Sequence, residues 1–224
     1  LILPESFKLF PLYTLALLKS KTLRAGRDIN SDIRVQQMRM VNSMGVSESI
    51  VFYYPRMVEV HAMDEKVTMD PNSGSVFLPP LVRASYARLN PSGAYLLENG
   101  QKMFLWLGRE ISVQFLMDVF GVQTLDEVNP EEVRLRRLPE LDTMMSNQLR
   151  MVRSFMQVGR AKYLDLNIVR QGKDQAEIEF SNLLVEDKNN EAMSYVDYLP
   201  TIHRRIQTEI TTRPHEVHTG IWSR

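Results

Sequence analysis

Ala94-Tyr95-Leu96-Leu97 and Lys102-Met103-Phe104-Leu105-Trp106-Leu107, joined by Glu98-Asn99-Gly100-Gln101, carry the clearest local signal in the chain. Asn-Gly between two runs of large apolar residues predicts a β-hairpin. Asn99 and Gly100 would be the central residues of a type I′ turn, because both tolerate its positive φ angles. The strands do not alternate cleanly between polar and apolar. Apolar residues occupy both faces, so the sheet is expected to be covered on both sides.

Working outward, residues 111–120 form an apolar helical stretch that Gly121 ends. Asn129-Pro130 and Pro139 bracket a charged connection. Asp142 opens a helix with Met145, Leu149, Val152 and Met156 on one face, and Gly159 ends it. Residues 163–170 read as a strand, with Leu164, Leu166 and Ile168 on one side and Asp165 and Asn167 on the other. Gln171-Gly172 turns the chain. Ala176, Phe180, Leu183 and Leu184 suit another amphipathic helix. Ser194 and Asp197 resemble a capping box before a last helix carrying Tyr195, Leu199, Ile202, Ile206 and Ile210.

Upstream of the hairpin, Met57 to Met63 alternates loosely, as a strand would. Asp70-Pro71-Asn72-Ser73-Gly74 has the chemistry of a loop. Residues 6–24 are rich in Leu and read as helix, interrupted or restarted at Pro11. Asp28 is a plausible N-cap for a second helix, which Gly45 would stop. Ser47 would cap a third that must end before Pro55. The order is therefore helices, strand, hairpin, two helices, strand, two helices. It predicts an α+β domain with a helical unit beside it.

Composition narrows the function. The chain has 224 residues, enough for one large domain or two small ones, and 44% are hydrophobic, which allows a packed core. Lys and Arg total 27, as do Asp and Glu, so the formal net charge is zero. That argues against a nucleic-acid binder with a wide basic face and against an electrostatic membrane anchor, though not against a local patch. The absence of cysteine rules out disulfides, thiol nucleophiles and cysteine-bound zinc within the chain. No apolar run reaches the roughly 20 residues that span a bilayer. The opening Leu1-Ile2-Leu3-Pro4 has neither Met nor a basic segment, and reads as a cut into a longer folded protein. Residues 213–224 read as a tail.

Motifs that carry chemistry are mostly missing. No glycine spacing fits a phosphate loop, a dinucleotide fingerprint or a nucleophile elbow. His61 and His203 read as structural or surface residues. His215-Glu216-Val217-His218 lacks the i,i+4 spacing that puts two imidazoles on one helix face. Glu131-Glu132, Asp126-Glu127 and Glu186-Asp187 lack the ligand spacing of a calcium loop and read as solvated surface. Arg134, Arg136 and Arg137 are the densest basic group and the one candidate partner-binding set, for a phosphate or an acidic peptide. The bland alternative is a solvated connection. Trp106 is either core or an interface anchor. The Met-rich stretch 144–156 is either core or a promiscuous groove. No catalytic, cofactor-binding or metal-binding residue is expected.

Three stretches go further. They are Leu1-Ile2-Leu3-Pro4-Glu5-Ser6-Phe7-Lys8-Leu9-Phe10-Pro11-Leu12-Tyr13; Leu89-Asn90-Pro91-Ser92-Gly93-Ala94-Tyr95-Leu96-Leu97-Glu98-Asn99-Gly100 continuing to Phe104-Leu105-Trp106-Leu107-Gly108; and Leu184-Val185-Glu186-Asp187-Lys188 followed by Ser194-Tyr195-Val196-Asp197-Tyr198-Leu199 and Ile202-His203-Arg204-Arg205-Ile206. In this order and spacing they resemble the C-terminal part of the cargo-adaptor subunit of the COPII inner vesicle coat, over about residues 1–212. The resemblance implies part of an all-helical domain at 1–54 and a gelsolin-like domain at 55–190, its mixed sheet covered by helices on both faces. A C-terminal helix at 191–212 would return to the helical part, burying Leu199, Ile202, Ile206 and Ile210 against it, with a tail at 213–224. Pro200 departs from the family pattern. Either the last helix begins there, with proline at its first position, or it is kinked.

The resemblance also implies a non-enzymatic structural and interaction module in endoplasmic reticulum to Golgi transport. Its partners, reached through the parent protein, would be the sister coat subunit and the export signals of membrane cargo. No nucleic acid and no cofactor is implied. Its location would be the cytosol and the cytoplasmic face of the endoplasmic reticulum, with membrane association only as part of the coat. The alternative from another class is an actin- or calcium-binding gelsolin-type domain, since a shared fold does not settle function.

Overall fold

The computed structural model describes residues 4–24, 29–65, 67–68, 76–136, 138–160 and 162–212, with backbone alone for residues 134–136. Leu1 to Leu3, Asp28, the loop at 70–74, Arg137 and the tail at 213–224 with its His215-to-His218 motif lie outside the described residues.

The predicted hairpin is the centre of the molecule. Strands β3 (Ala94–Glu98) and β4 (Met103–Leu107) pair antiparallel, and every residue in both is buried. Strand β1 (Arg56–Glu59) lies antiparallel to β3, and the two-residue β2 (Leu81–Val82) completes that edge. On the other side β5 (Leu166–Arg170) runs parallel to β4, giving the order β2-β1-β3-β4-β5.

Two apolar layers cover this mixed sheet, as the lack of alternation predicts. On one face Val58, Leu96, Leu105 and Ile168 meet Phe115, Leu116 and Val119 of α4 (Val113–Phe120) and Leu149, Val152 and Met156 of α6 (Met144–Gln157). On the other face Met57, Leu97, Phe104, Trp106 and Val169 meet Phe180 of α7 (Ala176–Asn182) and Leu184. Trp106 and Phe180 stack with ring centroids 6.3 Å apart, and the Trp106 indole N–H donates to Glu177. Trp106 is thus core and not an interface anchor. The Met-rich helix is likewise core along its Leu149-Val152-Met156 face.

Several expectations need correcting. The hairpin turn is not type I′, because Gly100 alone has a positive φ, at 75°. Asn99 contributes its side chain instead. Its Oδ1 accepts from the amides of Gln101 and Lys102, at 3.0 and 2.8 Å, and its own amide donates to the Lys102 carbonyl. An Asx side chain that mimics a backbone turn relieves Asn99 of any need for positive φ. Gly45 does not stop α2 (Ser31–Asn42). It precedes α3 (Val46–Tyr53), where its amide donates to Glu48, so Ser47 is not the cap. Asn30 caps α2, its side chain accepting from Ile33 at 2.8 Å. The first strand ends at Glu59, short of Met63. The charged connection contains a helix, α5 (Pro130–Arg136), whose first amides donate to the Asn129 side chain. Asn-Pro-Glu-Glu holds a cap, a proline at N1 and first-turn acids, all signals of a helix start.

The N-terminal unit begins with a 3-10 turn at Glu5–Phe7. Helix α1 (Phe10–Lys19) follows, with Pro11 in its first turn, where a missing N–H is tolerated. The last helix, α8 (Tyr195–Thr212), packs against α1. Ser194 caps it, its hydroxyl accepting from the Asp197 amide and donating to the Asp197 carboxylate. Since α8 begins at Tyr195, Pro200 lies inside the helix and not at its first position. The expected burial of the α8 stripe is not seen. Only Tyr198 is buried; Leu199 is 38% and Ile210 67% exposed, and Ile202 and Ile206 are half-buried. The cause is the thinness of the partner layer: α1 supplies the contact, while α2 buries none of its residues.

Two substitutions test the centre of this fold. Gly100→Val should lower stability by about 1–3 kcal/mol, the usual penalty for a strained backbone. A Cβ there meets only Arg160, at 3.7 Å, so the cost is conformational and not a clash. An unchanged melting temperature would contradict it. Glu98 is fully buried, and its carboxylate accepts from Arg56 at 2.6 Å, Arg160 at 2.5 Å and the Gly100 amide at 2.7 Å. Glu98→Ala strands two guanidinium groups and should cost about 3–5 kcal/mol. A loss in urea unfolding of less than about 1 kcal/mol would mean that the cluster behaves as an exposed pair.

Candidate functional site

The third quoted stretch is where the helical unit, the sheet domain and α8 meet. Leu184 is held in the core layer with Trp106 and Phe180, and the chain after it runs past the end of α1. Lys19, the last residue of α1, is buried although charged. Its ammonium group donates to the carbonyl of Val185 at 2.8 Å, to the carbonyl of Asp187 and to the Asn189 side chain at 3.0 Å. Three donors meet three acceptors across more than 160 residues of sequence, so the charge is fully hydrogen-bonded.

The two carboxylates of this tract are occupied as well. Glu186, buried, accepts from the Tyr54 hydroxyl at 2.6 Å and from Arg83 at 2.5 Å. The Tyr54 hydroxyl in turn accepts from the Ala84 amide at 3.2 Å. Burial, and then the hydrogen bond to Glu186, push the Tyr54 phenol well above its usual range, while the same carboxylate raises Arg83. Asp187 accepts from the Ser85 hydroxyl at 2.6 Å and the Tyr86 amide at 2.7 Å. Main-chain bonds from Glu186 to Ala84 and from Tyr195 to Glu186 complete the knot. Glu186-Asp187 is therefore a structural junction, not the solvated surface its composition suggested.

The second stretch is equally structural. Gly93 and Gly108 lie back to back, the Gly108 amide donating to the Gly93 carbonyl at 2.9 Å. A Cβ on Gly108 would lie 2.0 Å from the Pro91 carbonyl oxygen, so only glycine fits there. His61 accepts the Ala94 amide on Nδ1 at 3.1 Å and faces Glu59 through Nε2 at 3.3 Å, which holds the start of β3. His203 lies on α8.

The acidic pairs do not converge. Asp126 pairs with Lys173, Glu127 accepts from the Thr124 hydroxyl, and Glu131 and Glu132 occupy the first turn of α5. No group of three His, Asp or Glu that could hold a metal occurs among the described residues. Arg134 and Arg136 lie on α5, away from the knot in sequence and element. No helix among the described residues is long and apolar enough to cross a membrane.

Comparison with known proteins follows the same division. The Sec23/Sec24 helical domain matches residues 1–51, and the gelsolin repeat matches residues 76–153. The chain thus joins a stretch similar to the Sec23/Sec24 helical domain to one similar to the gelsolin repeat. The similar relatives carry the name Sec24. Human Sec24D is 38% identical over 207 residues, 92% of this chain and 19% of its own length. Human Sec24C is 36% identical over 92% of this chain, and SEC24 C of Arabidopsis thaliana 35% over 94%. The crystal structure of the human COPII-coat protein Sec24c superposes with a TM-score of 0.81 at 34% identity, covering 94% of this chain and 27% of that one. The chain is homologous to Sec24 proteins and spans about a fifth of the length of the curated relatives it matches.

The junction makes a pH-dependent prediction. Burial brings the Lys19 ammonium down to about 8, against the opposing charge of Asp187. Lysine in an unfolded chain titrates near 10.4, so between about pH 8 and 10.4 the unfolded state holds more protons. Lys19 therefore makes the fold more stable as pH rises through that window, and the gain is absent below it. In urea melts at about pH 7.5 and 9.5, the stability difference between wild type and Lys19→Met should move in favour of wild type at the higher pH. A constant difference would contradict the assignment.

Proposed function

We infer that the chain serves as a structural and interaction segment of a COPII cargo adaptor in endoplasmic reticulum to Golgi transport. The observation that carries this is the pairing of a Sec23/Sec24 helical segment with a gelsolin-like domain, matched to Sec24 proteins over more than nine-tenths of the chain. The site chemistry supports it. The buried charged groups are spent on joining elements.

On this reading the chain has no enzymatic activity and needs no cofactor. Its partners are the sister subunit of the inner coat and membrane cargo, engaged through the parent protein. It works on the cytoplasmic face of the endoplasmic reticulum, associated with membrane only through the coat. The Arg134-Arg136-Arg137 set remains a candidate contact with an acidic or phosphorylated partner.

A chimera tests it: human Sec24D with its matching segment replaced by this chain, in a reconstituted budding reaction with the rest of the coat. The chimera should assemble and release vesicles. A folded chimera that fails to join the coat would overturn the reading. Calcium-dependent co-sedimentation of the chain with actin would replace it with the gelsolin-type alternative.

A further inference from the structure

A groove separates α2 and α3 from the tip of the hairpin. It consists of two cavities of about 620 and 230 Å³ that share Met40, Gln101 and Lys162. In a chain of zero net charge its composition is lopsided. The larger cavity is lined by Lys19, Lys21, Arg24, Lys102 and Lys162, against the two carboxylates of Glu179 and Glu191. Arg160 and Glu48 join the walls in the smaller one. Some of this charge is already used: Lys102 pairs with Glu179 at 2.6 Å, Arg160 with Glu98, and Lys19 with the tract at 185–189. Lys21 and Lys162 are exposed. The remaining lining is rich in carboxamides: Gln36, Gln37, Asn99, Gln101, Asn182 and Asn190. Asn99 and Asn190 spend their side chains on the fold, whereas the side chains of Gln36, Gln37 and Gln101 make no hydrogen bond with the described residues.

We propose that this groove binds an extended acidic peptide segment of a partner protein. The charge complementarity selects a carboxylate-bearing ligand, and the carboxamides, each both donor and acceptor, suit the N–H and C=O groups of an extended backbone. Met40, Phe52 and Tyr53 add apolar contact along the helical wall. The basic groups are distributed over both cavities and over walls from α1, the hairpin and the turn after α6. A single phosphate calls for donors that converge on one point, so a linear polyanion fits this arrangement better. The proposal does not rest on coat membership.

The test uses the full chain and a fluorescein-labelled decapeptide of alternating Asp and Ser. A Lys/Ser decapeptide, inorganic phosphate and phosphatidylserine vesicles serve as comparisons. The acidic peptide should bind with an affinity that falls as salt rises, and should shift the backbone amide signals of Gln36 and Gln101. Combining Lys21→Glu with Lys162→Glu, both at exposed positions, should weaken it by about tenfold or more, while Arg109→Glu on another surface leaves it unchanged. Absence of binding, binding indifferent to the Lys21 and Lys162 changes, or shifts elsewhere would overturn the proposal. So would phosphate or vesicles bound at these residues without peptide binding, which would assign the groove to a phosphate headgroup.

Discussion

Two-sided burial of the β3–β4 hairpin is the constraint from which the rest of the architecture follows. All ten residues of these strands are removed from water, including the whole of Trp106. A strand with one wet face needs a single packing layer; strands with none need two. The α4–α6 layer and the α7 layer meet that requirement from opposite sides. A crossover between β4 and β5 is then forced, because β5 runs parallel to β4 and must be reached over one face. Helices α4, α5 and α6 fill that crossover and supply the layer over Val58, Leu96, Leu105 and Ile168.

The buried strands also dictate where charge can sit. Glu98 closes β3 and has no access to water, so it needs partners supplied by structure. They come from β1 and from the turn that follows α6, elements distant in sequence but brought to one end of the sheet. The same carboxylate holds the Gly100 amide, so turn and sheet end share one cluster. The hairpin is therefore pinned twice, by Asn99 from within and by Glu98 from below.

What the chain discloses on inspection is what depends on neighbours. The hairpin position, its two apolar faces, the left-handed glycine after α4 and the cap of α8 are all local, and all are legible. Helix α5 was equally local, in Asn129-Pro130-Glu131-Glu132, and its charge masked it. The turn type was misread because Asn-Gly supports two solutions, and the choice depends on the bonds of the Asn99 side chain. The junction at 185–189 was illegible for a different reason. Glu186-Asp187 looks like any exposed acidic pair until Tyr54, Arg83 and Ser85 are brought to it. Lys19 looks like any helix-terminal lysine until Val185 lies across it. A resemblance in motif order indicated that those residues matter without showing what they do.

That distinction bears on how the two units act together. The helical unit buries little apolar surface of its own: α2 and α3 bury no residue, and α1 contributes Leu12, Leu15 and Ala16. Its attachment to the sheet domain includes oriented polar contacts, with Lys19 at the end of α1 and Tyr54 just past α3 both fastened to one short tract. Polar contacts of this kind demand geometry more than they add stability, since a displaced ammonium or phenol loses its partners and stays dry. The joint therefore sets the angle between the units sharply. Because α8 starts from the same tract, through the bond of Tyr195 to Glu186, its direction is set by the same contacts. One tract of five residues thus orients the helices on both sides of it, a role that suits a segment whose work is to hold surfaces in fixed relation.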